Sequence, residues 1–214
     1  DIDKNLNALF NYANLLKDNN NSKKAIFYYT QAIKKKPNFL KAYQNRALLK
    51  YMQHNDQEAL NDFNEVLKID PNHSNARFIK SALELKKENL IEGFKNYECR
   101  WDSSLFFSKK KFFSQRTWDG IEDLKHKTIL LYSEQGLGDQ IHFLRFANII
   151  IKKEANVIIE VDPRLTKLFK KTTNFKNIYS QGDKLPNFDL QCPIMSLPYK
   201  LKIDINSIPN QPYL

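Results

Sequence analysis

The segment Glu134–Asp139 holds the residues whose types and spacing could do chemistry. Two of the chain's five glycines, Gly136 and Gly138, stand just before Asp139. Glycine lets the backbone turn sharply and lets a ligand approach the main chain. Free amides at the start of a helix favour a bound anion. A carboxylate at this position either faces a bound ligand or caps the helix, and the residues alone leave both interpretations open.

Two better-known phosphate-binding patterns fit this segment less well. In a dinucleotide-binding loop a third glycine lets the helix approach the sheet, but Ile141 occupies that position. Glu160 ends the next apolar run about where a ribose-binding acid belongs, so this pattern stays as a weaker alternative. A Walker-type loop is excluded, because no Gly-Lys-Ser/Thr follows.

The elements that would position the loop alternate between strands and helices. Short apolar runs predict buried strands, and apolar residues at helical spacing predict helices between them. The predicted elements are strands at 128–133, 156–161, near 177–179 and near 188–191, with helices at about 140–153 and from Asp162-Pro163 onward. This alternation predicts a parallel, right-handed, Rossmann-like α/β domain over residues 128–214.

A repeat with a period of 34 residues occupies the first half of the chain. Each copy combines small residues, an aromatic residue and a closing proline. The matched sets are Ala25, Tyr29, Ala32 and Pro37, then Ala59, Phe63, Val66 and Pro71. A third copy keeps Gly93 and Tyr97 and then decays, with Arg100 in place of the small residue and Leu105 in place of the proline.

This pattern resembles the tetratricopeptide repeat. The resemblance implies pairs of helices that approach closely at the small residues and end at the prolines. One pair cannot bury its own apolar face, so neighbouring pairs must stack. The chain is therefore predicted to form an α-helical domain over residues 1–101, with repeats at about 6–39, 40–73 and 74–101.

Arrays of this family commonly bind an extended peptide in the groove lined by their first helices. Asn14 and Asn45 occupy positions like those of a clamp for a terminal carboxylate, and they are the predicted protein-binding residues. The clamp's basic positions hold Phe10, Asn75 and Ile79 instead. A protein or peptide partner is expected but chaperone tails are not, and a spacer or dimerisation role remains the alternative.

Residues 102–127 fit neither pattern and are predicted to be a connector. Phenylalanines at 106, 107, 112 and 113 flank Lys109-Lys110-Lys111. The favoured interpretation is that the aromatic rings dock while the lysines stay solvated. Contact with a nucleic acid or a membrane surface is the alternative. Trp118-Asp119-Gly120 then predicts a turn ahead of the first strand.

Composition limits the remaining function classes. The net charge of +10 is spread evenly, with 17 basic and 12 acidic side chains in residues 1–101 and the same numbers in 102–214. No basic arm stands out, so no specific nucleic-acid partner is predicted. Cys99 and Cys192 form no CxxC pair and the four histidines form no HxxxH pair, so neither a metal site nor a disulfide is expected. No apolar run approaches the roughly 20 residues of a membrane span.

From Trp118 onward the chain resembles the acceptor-side domain of heptosyltransferase-like enzymes of glycosyltransferase family 9. It is more similar still to bacterial proteins that join tetratricopeptide repeats to such a domain. The matching stretches are Trp118-Asp119-Gly120, Ile129-Leu130-Leu131, Glu134-Gln-Gly-Leu-Gly-Asp139, Phe143-Leu144-Arg145, Val161-x-Pro163-x-Leu165, Phe188-Asp189-Leu190, Cys192-Pro193, Ser196-Leu197-Pro198, Ile208-Pro209 and Pro212-Tyr213-Leu214.

The resemblance implies an activity and a set of site residues. The parent protein would transfer a sugar from a nucleotide donor to a hydroxyl acceptor, with Asp139 as the general base. The residues expected to shape or line the acceptor site are Gln135, Gly136, Gly138, Gln140 and His142. No metal or other cofactor is implied. Arg145 stands where these enzymes tend to have proline, which implies a different acceptor.

The resemblance also bears on the extent of the chain. The chain begins at Asp1 and ends where a donor-binding domain would start, so it is expected to be a fragment of a cytoplasmic bacterial protein and inactive alone. The competing hypothesis is a non-catalytic scaffold, in which the repeats organise an assembly and the α/β half has lost its activity.

Overall fold

The repeated small and aromatic residues fold into consecutive helices that pack on one another. The computed structural model describes residues 2–214, and their side chains from residue 5 onward. Its residues form two compact units. The first holds the residues up to Lys87 together with Asp102–Leu105, and the second holds Glu88–Trp101 and Phe106–Leu214. The helices of the first unit are α1 (Ile2–Asp18), α2 (Ser22–Lys35), α3 (Leu40–Met52), α4 (Asp56–Ile69) and α5 (Ser74–Lys86).

The residues that define the 34-residue period form the core of the first unit. Ala25 and Ala59 are fully buried, as are the equivalent pair Ala32 and Val66. The aromatic positions, Tyr29 and its counterpart 34 residues later, are buried as well. Small side chains let neighbouring helices approach while the rings fill the space beside them. The predicted roles of these positions are confirmed.

An ion pair fixes three of these helices to one another. Arg46 of α3 makes two hydrogen bonds to the Asp62 carboxylate of α4, at 2.8 and 2.6 Å. Its third nitrogen donates to the Thr30 hydroxyl of α2 at 2.8 Å. Lys50 adds a second cation 3.0 Å from Asp62. A nearly buried carboxylate needs such partners, so this network specifies how α2, α3 and α4 pack.

The second unit is built on a parallel sheet. The strands lie in the order β3-β2-β1-β4, and every pairing is parallel. The strands are β1 (Thr128–Tyr132), β2 (Asn156–Val161), β3 (Asn177–Ser180) and β4 (Leu190–Pro193). The helices are α6 (Leu90–Tyr97), α7 (Leu137–Phe143), α8 (Ala147–Ile151), α9 (Pro163–Thr172) and α10 (Leu197–Lys200). Short 3-10 helices span Glu98–Asp102, Leu144–Phe146 and Ile194–Ser196.

The strand predictions are confirmed, with small changes at their ends. β2 keeps its predicted bounds, whereas β4 lies two residues later than predicted. Asp162 caps α9 by accepting a hydrogen bond from the Arg164 amide, and Pro163 stands at the first helical position. The helix that follows β1 starts at Leu137, inside the segment 134–139 that was predicted to be a loop. The described chain therefore consists of a helical repeat region followed by a small parallel sheet with helices.

The division of the chain differs from the predicted boundary at residue 101. Helix α5 belongs to the first unit, but α6, the second helix of the predicted third repeat, belongs to the second. The physical reason lies at Arg100, where the repeat pattern requires a small residue. Its guanidinium is completely buried within the second unit, which ties the end of α6 to the sheet.

The connector is partly docked on the sheet of the second unit. The Phe113 ring packs on Tyr132 and Phe188, at centroid distances of 5.2 and 5.7 Å. Lys111 forms an ion pair with Glu160 at the end of β2. Phe107, by contrast, is 93% exposed. The predicted docking therefore holds for some of the aromatic rings and fails for others, and one lysine is paired rather than solvated.

The predicted turn at Trp118-Asp119-Gly120 is present. The Asp119 carboxylate accepts hydrogen bonds from the amides of Ile121 and Glu122, at 2.8 and 2.9 Å. Gly120 adopts φ +91°, a conformation that side chains rarely tolerate. A Cβ at this position would lie 2.8 Å from the backbone oxygen of Lys200. Glycine is therefore required here by both conformation and space.

We expect Gly120→Ala to lower the free energy of unfolding of the second unit by about 2–4 kcal/mol, from backbone strain plus the collision. Gly182→Ala is the matched control, because Gly182 also has a positive φ (+96°) but faces open space, so about 1 kcal/mol is expected. Both tryptophans, Trp101 and Trp118, belong to the second unit, so urea unfolding followed by their fluorescence measures it. Equal losses in the two variants would contradict this explanation.

Candidate functional site

The candidate site lies at the carboxyl ends of β1 and β2. β1 ends at Tyr132 and leads through Ser133 into residues 134–139, here called the glycine loop. β2 ends at Val161 and leads into α9. In parallel α/β sheets this edge is where ligands bind, because the loops and the helix starts converge there. The structure brings the predicted site residues 135–142 together at this edge.

Asp139 lies in the first turn of α7, and its carboxylate is not used by the protein. Gly136 caps the helix, and the Asp139 side chain makes no hydrogen bond or ion pair with any described side chain or backbone group of residues 5–214. The side chain is partly exposed. One carboxylate oxygen lies 3.5 Å from where a Cβ on Gly136 would stand. The helix-capping interpretation is therefore wrong, since the carboxylate remains available to a ligand.

Gln140 is a structural bridge between the two loops of the edge. It is only 2% exposed, and both ends of its amide are occupied. Its nitrogen donates to the backbone oxygen of Gln135 at 2.8 Å, and its oxygen accepts from the Asp162 amide at 2.8 Å. It thereby fixes the glycine loop against the start of α9. Gln140 therefore contributes to the site by positioning these two loops.

The other predicted residues surround Asp139 in different ways. The Gln135 side chain lies near the hydroxyl of Tyr97 of α6. Gly138 is exposed, and a Cβ there would meet no atom within 4 Å. His142 is exposed, one turn after Gly138. Desolvation by the neighbouring groups lowers the pKa of the His142 imidazole, the nearby Arg145 lowers it further, and Asp139 opposes both effects.

Behind the loop lies a buried charge cluster that sequence analysis missed. The Arg100 guanidinium bonds the Glu134 carboxylate at 2.6 and 2.9 Å, and it bonds Glu98 at 2.7 Å. It also donates to the Ser196 hydroxyl at 2.8 Å, and that hydroxyl in turn donates to Glu98. One cation thus joins the chain after α6, the loop after β1 and the segment after β4.

This cluster holds two carboxylates for a single buried cation, and Glu134 is the more buried of the two. Its second oxygen, Oε2, has no hydrogen-bond partner in the described chain. Burial raises the pKa of Glu134 to about 7, although Arg100 opposes the shift. The sequence signal for the cluster was weak: Arg100 stood out as a departure from the repeat, and nothing linked it to Glu134.

The predicted clamp residues of the first unit are hydrogen-bonded to each other. The Asn45 amide donates to the Asn14 side-chain oxygen at 2.9 Å. The buried hydroxyl of Tyr29 donates to the same oxygen at 2.6 Å. Asn75, at another clamp position, bonds instead to Ser103 and Ser104, which belong to the same unit. These contacts place Asn14 and Asn45 together on α1 and α3.

The described residues hold neither a metal-binding cluster nor a helix that could span a membrane. Nowhere among the described side chains, residues 5–214, do three or more His, Cys, Asp or Glu groups gather in a way that could hold a metal ion. The helices of that range are each too short or too polar to cross a membrane. Cys99 and Cys192 are both buried.

Comparison with known proteins identifies the repeats. Residues 6–39 and 40–73 each match the Tetratricopeptide repeat family, so the chain contains two tetratricopeptide repeats at the predicted bounds. The third repeat, at about 74–101, stays a prediction. A crystal structure of a tetratricopeptide repeat protein from Parabacteroides merdae is 22% identical and has a TM-score of 0.44, covering 47% of this chain and 40% of that one.

Two curated relatives extend the comparison. Protein FlbA of Caulobacter vibrioides is 25% identical over 154 residues, which is 69% of this chain and 26% of FlbA. A match of that length extends beyond the first unit into the second. The UDP-N-acetylglucosamine–peptide N-acetylglucosaminyltransferase of Giardia intestinalis is 36% identical over 67 residues, 31% of this chain and 4% of that enzyme. The chain therefore spans about a quarter or less of the length of these relatives.

The raised pKa of Glu134 makes the free energy of unfolding of the second unit depend on pH. Its proton is lost near 4.5 in the unfolded chain but near 7 in the folded one. Its contribution to stability is thus fully present below pH 4.5 and is lost as the pH rises through 7. We expect Glu134→Gln to remove about 3 kcal/mol of this pH dependence of unfolding. Urea unfolding at pH 5 and pH 8, followed by tryptophan fluorescence, measures it.

The control for this experiment is Glu154→Gln, which removes an exposed carboxylate from the same unit. We expect that variant to keep the pH dependence of the unsubstituted protein. If Glu134→Gln also kept it, Glu134 would be ionised in the folded state, and the cluster would hold two charged carboxylates.

Proposed function

We propose that the full-length protein is a glycosyltransferase that moves a sugar from a nucleotide donor to a hydroxyl group. In this proposal the second unit is the acceptor-side, Rossmann-like half of the enzyme. The repeats bind a protein partner or a protein acceptor. The nucleotide would bind outside this chain, since the resemblance assigns the donor site to a further domain.

The observation that carries the proposal is the unused carboxylate of Asp139. An alcohol is a poor nucleophile until a base takes its proton, and a carboxylate can do so only if its oxygens are not already bonded. Asp139 meets that condition at the ligand-binding edge of a parallel sheet. Gly136 has no side chain that would cover the nearer carboxylate oxygen.

The surroundings of Asp139 favour a site held in one geometry. Gln140 and the Arg100–Glu134 pair fix the two ends of the loop from within the protein. Groups held in advance lose little freedom when a substrate binds, which is what proton transfer in a defined direction requires. The strand order β3-β2-β1-β4 is also that of the nucleotide-binding half of a doubly wound sheet, which supports the Rossmann-like assignment.

The comparison with the Giardia intestinalis enzyme supports the class of reaction only. By its name that protein transfers N-acetylglucosamine from a UDP donor to a peptide. We take from it the combination of a nucleotide-sugar donor with a protein acceptor, as a hypothesis for this chain. The repeats suit that role because tetratricopeptide arrays present a groove for extended segments. Asn14 and Asn45 would hydrogen-bond the backbone of the bound segment.

A second candidate function is a non-catalytic scaffold, and the two tetratricopeptide repeats favour it. In that case the repeats would bind a protein and the α/β unit would carry no chemistry. The two functions differ in what they require of Asp139, since only the enzyme needs its carboxylate.

We expect Asp139→Asn in the full-length protein to lower the turnover of sugar transfer by about 10²–10⁴-fold, because the amide cannot accept the proton. Turnover is measured as nucleoside diphosphate release from a panel of UDP-, GDP- and ADP-sugars. Asp123→Asn is the matched control. That side chain is exposed in the same unit, and its one contact, accepted from the Lys125 amide, survives the change.

The pattern of results separates the candidate functions. Loss in Asp139→Asn with normal turnover in Asp123→Asn supports the assignment of the base. Full turnover in Asp139→Asn would remove Asp139 from the mechanism. If no sugar nucleotide is turned over by the unsubstituted protein while the repeats bind a partner, the scaffold is the better description.

A further inference from the structure

The second unit contains a cavity of about 520 Å³ that the proposed reaction does not use. Its walls come from the helical segment 145–152 and from residues 207–213. The volume falls within the range of small-molecule sites. Six of its lining residues have polar or charged groups that could bind a ligand: Arg145, Asn148, Lys152, Asn210, Gln211 and Tyr213.

The charge in this cavity is of one sign. Arg145 and Lys152 are both in the lining, and no acidic side chain is. Neither cation makes an ion pair with a residue of the described chain. Two uncompensated positive charges at one cavity attract an anion and repel a cation. Arg145 is also the residue that departs from the proline of the resembling enzymes.

Arg145 is held in place before any ligand arrives. Its Nε donates to the His142 backbone oxygen at 3.0 Å, and one terminal nitrogen donates to the Tyr213 hydroxyl at 3.3 Å. The guanidinium also stacks on the Tyr213 ring, 5.0 Å from its centroid. Tyr213 is fixed in turn by donating to the Ile141 backbone oxygen at 2.8 Å. The other terminal nitrogen of Arg145 has no partner in the described chain, so it is free to bond a ligand.

We propose that this cavity binds a small hydroxylated anion, a sugar-like molecule that carries a phosphate or a carboxylate. The guanidinium of Arg145 bonds the anionic oxygens in its fixed orientation. Lys152 adds a second positive charge. The side-chain amides of Asn148, Asn210 and Gln211 supply donors and acceptors for hydroxyl groups. Asp139 is not among the residues that line the cavity, so the inference does not rest on the reaction proposed there.

Isothermal titration of the 214-residue chain with three probes tests the proposal. Glucose 1-phosphate and glucuronate each place an anion on the same sugar body, and glucose is the uncharged control. We expect at least one of the anions to bind with a dissociation constant in the millimolar range or below, and glucose to bind at least tenfold more weakly. The stronger anion identifies the source, phosphate or carboxylate.

The variants separate this site from the general positive charge of the chain. Arg145→Met should weaken the anion by at least tenfold. Lys153→Met is the matched control, since it removes an exposed neighbouring charge that does not line the cavity, and it should change binding by less than twofold. Tyr213→Phe removes only the hydroxyl that orients Arg145, so a severalfold loss is expected even if Arg145→Met folds poorly.

Three outcomes would overturn the proposal. The first is that neither anion binds. The second is that glucose binds as tightly as the anions. The third is that Lys153→Met weakens binding as much as Arg145→Met, because the net charge of +10 would then account for the attraction.

Discussion

The second unit depends on one buried cation. Arg100 has no exposed surface, and it bonds Glu98, Glu134 and Ser196, which lie far apart in the chain. A buried guanidinium without such partners would be strongly destabilising, so each contact restrains the segment that supplies it. Glu134 is the first residue of the glycine loop. The position of that loop at the sheet edge is therefore set from behind, by the segment that follows α6.

Some polar side chains at the carboxyl ends of β1 and β2 are hydrogen-bonded within the protein, and others are not. The bonded ones hold the loops in place, and the others are available to a ligand. The Gln140 side chain bonds backbone atoms of two loops, and the Asp162 carboxylate caps α9 and bonds Arg164. The Asp139 carboxylate and one nitrogen of Arg145 have no partner in the described chain. A carboxylate repels anions, so the Asp139 carboxylate and an anion-binding cavity would conflict if they formed one site. The proposals therefore concern two sites: Asp139 as the proposed proton acceptor at the loop, and the cavity beside α8.

Sequence patterns predicted what depends on local periodicity. The spacing of Ala25, Tyr29 and Ala32 predicted the repeat, and the apolar runs predicted each strand to within about two residues. They did not predict that α6 would belong to the second unit, or that Gln140 would bridge two loops. Both outcomes depend on partners many residues away, such as Glu134 for Arg100. Period and spacing carry no information about those pairings, and an arginine in a repeat position was the only local sign.

The most direct test of the central claim, that Asp139 faces the acceptor, is a crystal structure of the full-length protein with a nucleotide sugar bound. A base must lie about 3 Å from the attacking hydroxyl, and that hydroxyl must lie about 3–3.5 Å from the sugar carbon. The anomeric carbon should therefore lie about 6 Å from the Asp139 carboxylate, with room for one oxygen between them. A donor bound at another edge of the sheet, or an Asp139 side chain bonded to its own backbone, would contradict the claim.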